Sequence, residues 1–321
     1  MKARDRSQPN RKVDEQLAAI AALSSSTDTA STAQLLRKCL AHGIGLVVSR
    51  AAKKTAELAV RDLIPDLLQA YDRMFVNPVK VDPQCWGKRA IAETLAAFDY
   101  TGTEPFLRGA TYSQMEPVWG GSEDTAPALR GVCLLALVAC REIPRLDLLR
   151  FYVDQLFDPD KTVRREVLRA LEQIGSADCG LLLRLKARMG DREPEVVGQA
   201  LESLIRLEPE LGVAFAGEFL ESPNPAVADE AALALGLANS QTAVVILAAA
   251  WKRSRNAIIL RALGLSRLPE AFDLLIETIE TGTSREVASA LDALRPHLAS
   301  EGAASLQQRV DFALARQRGP A

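Results

Sequence analysis

The dipeptide Ala-Leu recurs along the chain at nearly regular intervals, and each copy lies in an apolar stretch of helical period. Six of the copies, from Ala136-Leu137 to Ala290-Leu291, are spaced 34, 30, 34, 28 and 28 residues apart. A period near thirty residues predicts stacked helix pairs rather than one globular core, because a single pair cannot bury its own apolar face. We therefore predict an all-α fold, an α-solenoid of stacked antiparallel helix pairs. The six copies are Ala136-Leu137, Ala170-Leu171, Ala200-Leu201, Ala234-Leu235, Ala262-Leu263 and Ala290-Leu291.

Composition and charge narrow the class of protein further. Hydrophobic residues make up 48% of the chain and aromatic residues only 5%, which argues against a large β-sandwich core. The net charge of -2 gives no overall attraction to nucleic acid or to an anionic membrane. The five cysteines have no metal-binding spacing and neither histidine lies near two of them, so we predict free buried thiols, no metal site and no cofactor.

The pattern divides the chain into four regions. We predict a disordered basic tail at 1–12, a helical region at 13–80, HEAT-like repeats at 81–300 and a capping helix with a tail at 301–321. The basic start has no apolar run behind it, and the most apolar window is too short to span a bilayer. We expect a cytoplasmic protein that does not contact a membrane.

One interval in the repeat pattern is too long. From Thr94-Leu95 to Ala136-Leu137 there are 42 residues, which predicts an inserted loop at 108–127. Loops often carry function, and an exposed tryptophan is a typical interface anchor. The alternative is that Trp119 packs back over the helices while the carboxylates are solvated. The candidate partner-binding residues of this loop are Tyr112, Met115, Glu116, Trp119, Glu123 and Asp124.

Charged residues are unevenly spread over the repeats. Residues 193–230 contain nine acidic residues and one basic residue, whereas 251–268 contain five basic residues and no acidic one. The helical phase predicts which polar residues lie on the concave face of the stack, to within one position. These further candidates are Arg164, Arg165, Arg169, Gln199, Glu202, Glu230, Arg261 and Asp292.

One segment of the chain carries a family resemblance. The run at 158–176, DPDKTVRREVLRALEQIGS, resembles the second helix of a HEAT repeat in its acidic start, its Val-Arg step, its Ala-Leu pair and its closing Ile-Gly. Over about 82–298 the chain is similar to the compact bacterial HEAT-like type that is also seen in proteins related to phycobilin lyases. The resemblance implies a HEAT-like superhelix and a family that mostly binds proteins.

These observations predict a non-catalytic scaffold or adaptor that binds a protein partner through its concave face and through the 108–127 loop. Two alternatives remain open. The basic residues at 161–169 and 252–267 could bind nucleic acid, in which case affinity would fall steeply with salt. The chain could also be an accessory, lyase-like factor for cofactor attachment. No Walker A, GxSxG or HExxH motif is present.

Overall fold

The computed structural model describes residues 8–24, 28–299 and 304–317. Within these ranges the chain forms nineteen α-helices and one two-stranded sheet, so the predicted all-α class of stacked helices is confirmed. The first helix begins at Gln8, and residues 8–12 are therefore helical rather than part of a disordered tail. The rest of that predicted tail, 1–7, and the predicted tail at 318–321 lie outside the described residues.

The chain divides into two compact units, 1–170 and 171–321, and the boundary falls within one helix, α10 (Lys161–Ile174). The other helices of the first unit are α1 (Gln8–Ala21), α2 (Thr29–Leu40), α3 (Gly45–Glu57), α4 (Ile64–Met74), α5 (Pro78–Val81), α6 (Trp86–Ala97), α7 (Glu104–Ala110), α8 (Pro127–Leu137) and α9 (Arg145–Gln155). Its strands are β1 (Met115–Val118) and β2 (Gly121–Asp124).

Helix α6 occupies the centre of the first unit. It packs against α3, α4 and α8, while α1 and α2 lie against α3, and α7 lies against α8. The core includes Tyr71, whose hydroxyl donates a hydrogen bond to the Pro105 carbonyl at 3.2 Å, and Tyr152, whose hydroxyl donates to the Leu134 carbonyl at 2.8 Å. Both tyrosines are buried. Hydrogen bonds to backbone carbonyls let these polar groups enter the core at little cost.

The second unit has two layers of helices. Its remaining helices are α11 (Ala177–Met189), α12 (Pro194–Leu207), α13 (Pro209–Glu218), α14 (Pro225–Leu237), α15 (Gln241–Ser254), α16 (Ala257–Ser266), α17 (Pro269–Thr281), α18 (Ser284–Leu298) and α19 (Ala304–Gln317). Helices α12, α14, α16 and α18 contact one another in sequence, and α13, α15, α17 and α19 form the second layer. Each helix also contacts the next along the chain, as expected for stacked helix pairs.

The Ala-Leu pairs lie where the layers meet. Five of the six pairs are fully buried, and in the sixth Ala290 is buried while Leu291 is half-buried. Small residues let neighbouring helices approach closely. A Cβ atom on Gly264 of α16 would lie 2.7 Å from the carbonyl oxygen of Ala293 in α18, a distance that real Cβ atoms do not adopt. The absence of a side chain at Gly264 therefore lets α16 and α18 approach this closely.

Helix starts in the second unit use side-chain caps and proline. Asn224 accepts a hydrogen bond from the Ala226 amide at 3.1 Å, and Asn256 accepts one from the Ile258 amide at 3.2 Å. Thr283 and Glu286 form a reciprocal capping box at the start of α18. Such caps satisfy amides that have no partner within the helix, and they give each helix a defined first residue.

Candidate functional site

The inserted segment folds as a β-hairpin rather than as an irregular loop. Strands β1 and β2 pair antiparallel, with Met115 opposite Asp124 and Val118 opposite Gly121. The two residues between the strands are Trp119 and Gly120, and Gly120 has a φ of 90°. Position three of a type II turn requires a positive φ, which glycine adopts without strain. The turn thus places Trp119 at the tip of the hairpin.

The Glu116 carboxylate ties the hairpin to the turn before α6. Its Oε1 atom accepts hydrogen bonds from the Gln84 amide at 2.5 Å, from Gln114 Nε2 at 2.7 Å and from Thr125 Oγ1 at 2.7 Å. Burial by itself raises the pKa of Glu116, but the three hydrogen bonds outweigh burial and hold the pKa below its usual value. Glu116 therefore binds its own chain as a carboxylate.

The other strand is held by an arginine between two aspartates. Arg130 of α8 is only 5% exposed. Its Nη1 atom donates to Asp124 Oδ2 at 2.6 Å, and its Nε and Nη2 atoms donate to the two oxygens of Asp158 at 2.8 and 3.1 Å. Bidentate pairing of this kind fixes orientation as well as charge. The hairpin is therefore a rigid part of the first unit.

Asp124 also accepts two backbone hydrogen bonds. Its Oδ1 atom lies 3.0 Å from the amides of Gln114 and Ala126. Burial by itself raises the pKa of Asp124, but these amides and the Arg130 guanidinium outweigh burial and lower the pKa. Asp124 remains charged at neutral pH and joins the residue before β1 to the segment after β2.

Beneath the hairpin lies a fully buried ion pair, Asp82 with Lys88. The Lys88 Nζ atom is 3.0 Å from Asp82 Oδ2 and donates to the Met74 carbonyl at 3.2 Å. The rings of Phe75 and Tyr112 lie 5.4 and 5.3 Å from the same nitrogen. Aromatic faces attract a cation, so the ammonium group is compensated on several sides. This pair forms the structural base of the site.

The same aspartate caps α6 and connects to the hairpin. Asp82 accepts hydrogen bonds from the amides of Gly87 at 2.6 Å and Lys88 at 3.0 Å, and Gln114 Nε2 donates to its carbonyl at 2.9 Å. In the turn between Asp82 and Gly87, Gln84 and Cys85 have φ values of 56° and 55°. Left-handed backbone at two successive non-glycine residues is strained and persists only when its surroundings enforce it.

Exposed apolar side chains lie on the hairpin and at the start of α6, close in sequence to the Gln84 that anchors the hairpin. Trp119 has a relative exposure of 103%, and Met115 and Val118 are 53% and 46% exposed. Trp86, which begins α6 directly after the strained turn, is 44% exposed. Trp119 therefore projects fully into solvent, and the alternative that it packs back over the helices is wrong.

The predicted residues of this segment have two different roles. Met115, Trp119 and Glu123 are exposed and available to a partner. Tyr112 is half-buried; its ring packs edge-on against Phe75, and burial raises its pKa to about 12. Glu116 and Asp124, which were also predicted to bind a partner, are half-buried and bind their own chain, so the alternative of solvated carboxylates does not hold for these two.

The predicted concave-face residues are mostly not exposed. Arg164 and Gln199 are 4% and 3% exposed, and Arg164 Nη1 donates to the Asp158 carbonyl at 2.8 Å. The prediction of an exposed position is therefore wrong for these two. Gln199 lies in a stretch of α12, 196–201, in which every residue is buried, and Arg164 donates to the backbone carbonyls of Asp158 and Pro159. Four other candidates are half-buried, namely Arg165, Arg169, Glu202 and Glu230. Arg261 and Asp292 are exposed.

Several basic residues of the two positively charged segments have acidic partners. Arg169 pairs with Glu166 at 2.9 Å, Arg253 with Glu221 at 3.1 Å, and Arg255 with Glu286 at 3.5 Å. A guanidinium that is already paired offers less to a phosphate. These pairs weaken the case for a continuous nucleic-acid surface.

Sequence reasoning missed the supports of the hairpin. In the sequence, Asp82-Pro83 carries only the ordinary signal of a helix start, and Lys88 has no signal for burial. Arg130 carried a usable signal, because it directly precedes the most apolar stretch of the chain and a charge there needs a partner.

The described residues contain neither a metal-binding cluster nor a helix that could span a membrane. Across 8–24, 28–299 and 304–317, no three histidine, cysteine or acidic residues come together in a way that could hold a metal ion. Over the same residues, no helix has the length and apolar character needed to cross a membrane.

Comparisons with known proteins do not identify a family. No family model matches the chain, and no curated protein matches it. Solved structures that match include two engineered proteins. One is 15% identical with a TM-score of 0.36 and covers 98% of this chain and 97% of its own. The other is 18% identical with a TM-score of 0.17 and covers 88% of this chain and 95% of its own.

Proposed function

We propose that this protein is an interaction scaffold that binds a protein partner through the tip of its β-hairpin. The observation that carries the proposal is the full exposure of Trp119 on a hairpin that is fixed at both strands. Tryptophan is among the residues most enriched at the energetic centres of interfaces. Exposed apolar side chains that are rimmed by polar residues are typical of protein interaction sites.

Rigidity strengthens the proposal. A flexible loop loses conformational entropy when it binds, at about 0.5–1.5 kcal/mol for each side chain that becomes ordered. The contacts of Glu116 and Asp124 have already ordered the hairpin, so binding through Trp119 carries little of that cost. Met115, Val118 and the exposed Glu123 supply a mixed rim around the tryptophan, as is common at the edges of interfaces.

The test compares partner capture by wild-type protein and by Trp119→Ala. The bait is immobilised on a resin and incubated with an extract of cells that produce the protein. Captured proteins are quantified by mass spectrometry. We expect at least one partner to fall by tenfold or more with Trp119→Ala. Phe157→Ala is the matched control, because Phe157 is also exposed, at 67%, and lies outside the hairpin.

Folding is checked separately by circular dichroism and thermal unfolding. Trp119 has full exposure, so its replacement should leave the melting temperature unchanged. If both variants retain every partner at wild-type levels, the hairpin tip is not the binding site and the proposal fails.

A further inference from the structure

A groove in the second unit lies between α16 and α18 and has a volume of about 590 Å³. Its walls include the small or apolar residues Ala257, Ile258, Ala293 and Pro296. Gly264 also lines it, where α16 approaches the backbone of α18. Small side chains on both helices leave room for side chains of another molecule, so the groove has a shape suited to a peptide.

Two arginines give this groove its charge. Arg261 and Arg267 both line it and are exposed. In the part of the chain that the structure describes, neither guanidinium has an ion pair or a hydrogen bond, whereas Arg253 and Arg255 of the same basic segment pair with carboxylates. The basic segment therefore leaves Arg261 and Arg267 free to bind an anion.

The acidic residue of the groove does not cancel this charge. Asp292 is exposed and its Oδ1 atom lies 2.7 Å from Nη2 of Arg295, three residues further along α18. The lining retains the two positive charges of Arg261 and Arg267.

We infer that the α16–α18 groove binds an acidic, extended peptide segment of a protein partner. Arg261 lies within α16 and Arg267 directly follows its last residue, so both guanidiniums reach the groove from the same helix. Alternate side chains of an extended chain lie on one face about 7 Å apart, so two carboxylates in that spacing can face the two arginines, and a guanidinium can hold each carboxylate through two hydrogen bonds. A further apolar side chain on the same face, two residues along, would contact Ile258 or Ala293. This site is separate from the hairpin and does not depend on it.

Fluorescence anisotropy at low salt tests the inference on the full chain. The probe is a fluorescein-labelled hexapeptide, acetyl-Glu-Val-Glu-Ser-Leu-Gly-amide, in which both glutamates and the leucine lie on one face of an extended chain. The reference is the same peptide with both glutamates replaced by glutamine. We expect saturable binding of the acidic probe and at least tenfold weaker binding of the glutamine peptide. Arg261→Gln combined with Arg267→Gln should weaken the acidic probe by at least tenfold.

Two further variants separate the groove from charge in general. Lys252→Gln combined with Arg285→Gln removes the same charge from exposed residues that do not line the groove, and should preserve binding within twofold. Ala257→Trp fills the groove without changing charge and should abolish binding. Because Ala257 is exposed, that variant should fold; its melting temperature is compared with that of wild type.

Three outcomes would overturn the inference. They are no saturable binding of the acidic probe to wild type, equal losses in the two double variants, and tighter binding of a ten-nucleotide oligothymidine than of the peptide. Trp119→Ala should bind the probe like wild type, so failure of this inference and failure of the hairpin proposal are distinguishable.

Discussion

Lys88 is a lysine without exposed surface, and a carboxylate, a carbonyl and two aromatic rings surround its ammonium group. Removing one member of a buried ion pair leaves the other charge uncompensated, which typically costs about 3–5 kcal/mol. The interactions of this one residue therefore bear directly on whether the first unit folds.

We predict that Lys88→Met lowers the free energy of unfolding by about 3–5 kcal/mol, because Asp82 then has no cationic partner. Urea denaturation followed by circular dichroism measures the change. Arg89→Met is the control, since Arg89 is exposed and its pair with Glu93 on the same helix should contribute less than about 1 kcal/mol. Equal effects of the two substitutions would show that the buried pair has no special role.

Glu116 and Asp124 make the hairpin sensitive to acid. Both have pKa values below their usual range in the folded protein, so both stabilise it above the unfolded pKa of about 4. This stabilisation is lost as the pH falls through the lower folded values. We predict a decline in the free energy of unfolding that begins near about pH 4 and continues below it.

The decline is measured by urea denaturation at a series of pH values between 7 and 2.5. Glu116→Gln combined with Asp124→Asn should reduce its slope, because these two groups no longer take up protons on unfolding. Glu123→Gln is the control, since Glu123 is exposed on the same strand. An unchanged slope in the double variant would contradict the assignment of the acid sensitivity to these two carboxylates.

Among the elements, the hairpin depends on residues outside its own sequence. Its strands contain Pro117 and a Gly-Ser-Glu-Asp run, which have low strand propensity. Two-stranded hairpins of this length are marginal on their own. The sequence located the insertion through the long interval between repeats, but its strands could not be predicted, because Gln84 and Arg130 supply the contacts that hold them.

We predict that Arg130→Met releases the hairpin from the first unit. Asp124 and Asp158 lose their shared cation, so the protein is destabilised by about 3–5 kcal/mol. Hydrogen exchange read by mass spectrometry should show the largest loss of protection in 114–126. Arg150→Met is the control, because Arg150 makes only an exposed pair with Asp147. Unchanged protection of the hairpin in Arg130→Met would show that Arg130 does not support it.

The helices were easier to predict than the hairpin. Apolar residues at helical spacing around the Ala-Leu pairs are a local signal, and those pairs are buried between layers. The choice of outward residues was less successful, since Arg164 and Gln199 are buried. Helical phase alone does not identify the outward residues of α12, because α11, α13 and α14 pack against it and every residue of 196–201 is buried.

At the scale of the whole molecule, the second unit is a series of contacts between neighbouring helices rather than one central core. In the second unit, α12 buries nine residues, whereas the described part of α19 buries only Val310 and Ala313. Stability in a stack depends on contacts with adjacent helices. Protection from exchange should therefore differ along the stack.

We predict that backbone amides of α19 exchange at least tenfold faster than those of α14 and α16, after correction for intrinsic rates. The reason is that few described residues of α19 are buried and that its main contacts are with α17 and α18. Hydrogen exchange at neutral pH measures this, with α18 as an intermediate reference. Uniform protection from α14 to α19 would mean that the unit unfolds only as a whole.

All five cysteines are free and buried, so their reaction with an alkylating reagent reports local or global unfolding of the chain. Cys39, Cys85, Cys133 and Cys140 lie in the first unit and Cys179 in the second. A thiol-alkylating reagent cannot reach them in the closed protein, and burial also raises the pKa of Cys85 to about 11 and that of Cys133 to about 12, which keeps their thiols unreactive. The rate of alkylation therefore reports how often the protein opens, and the position of the alkylated cysteine shows which unit opened.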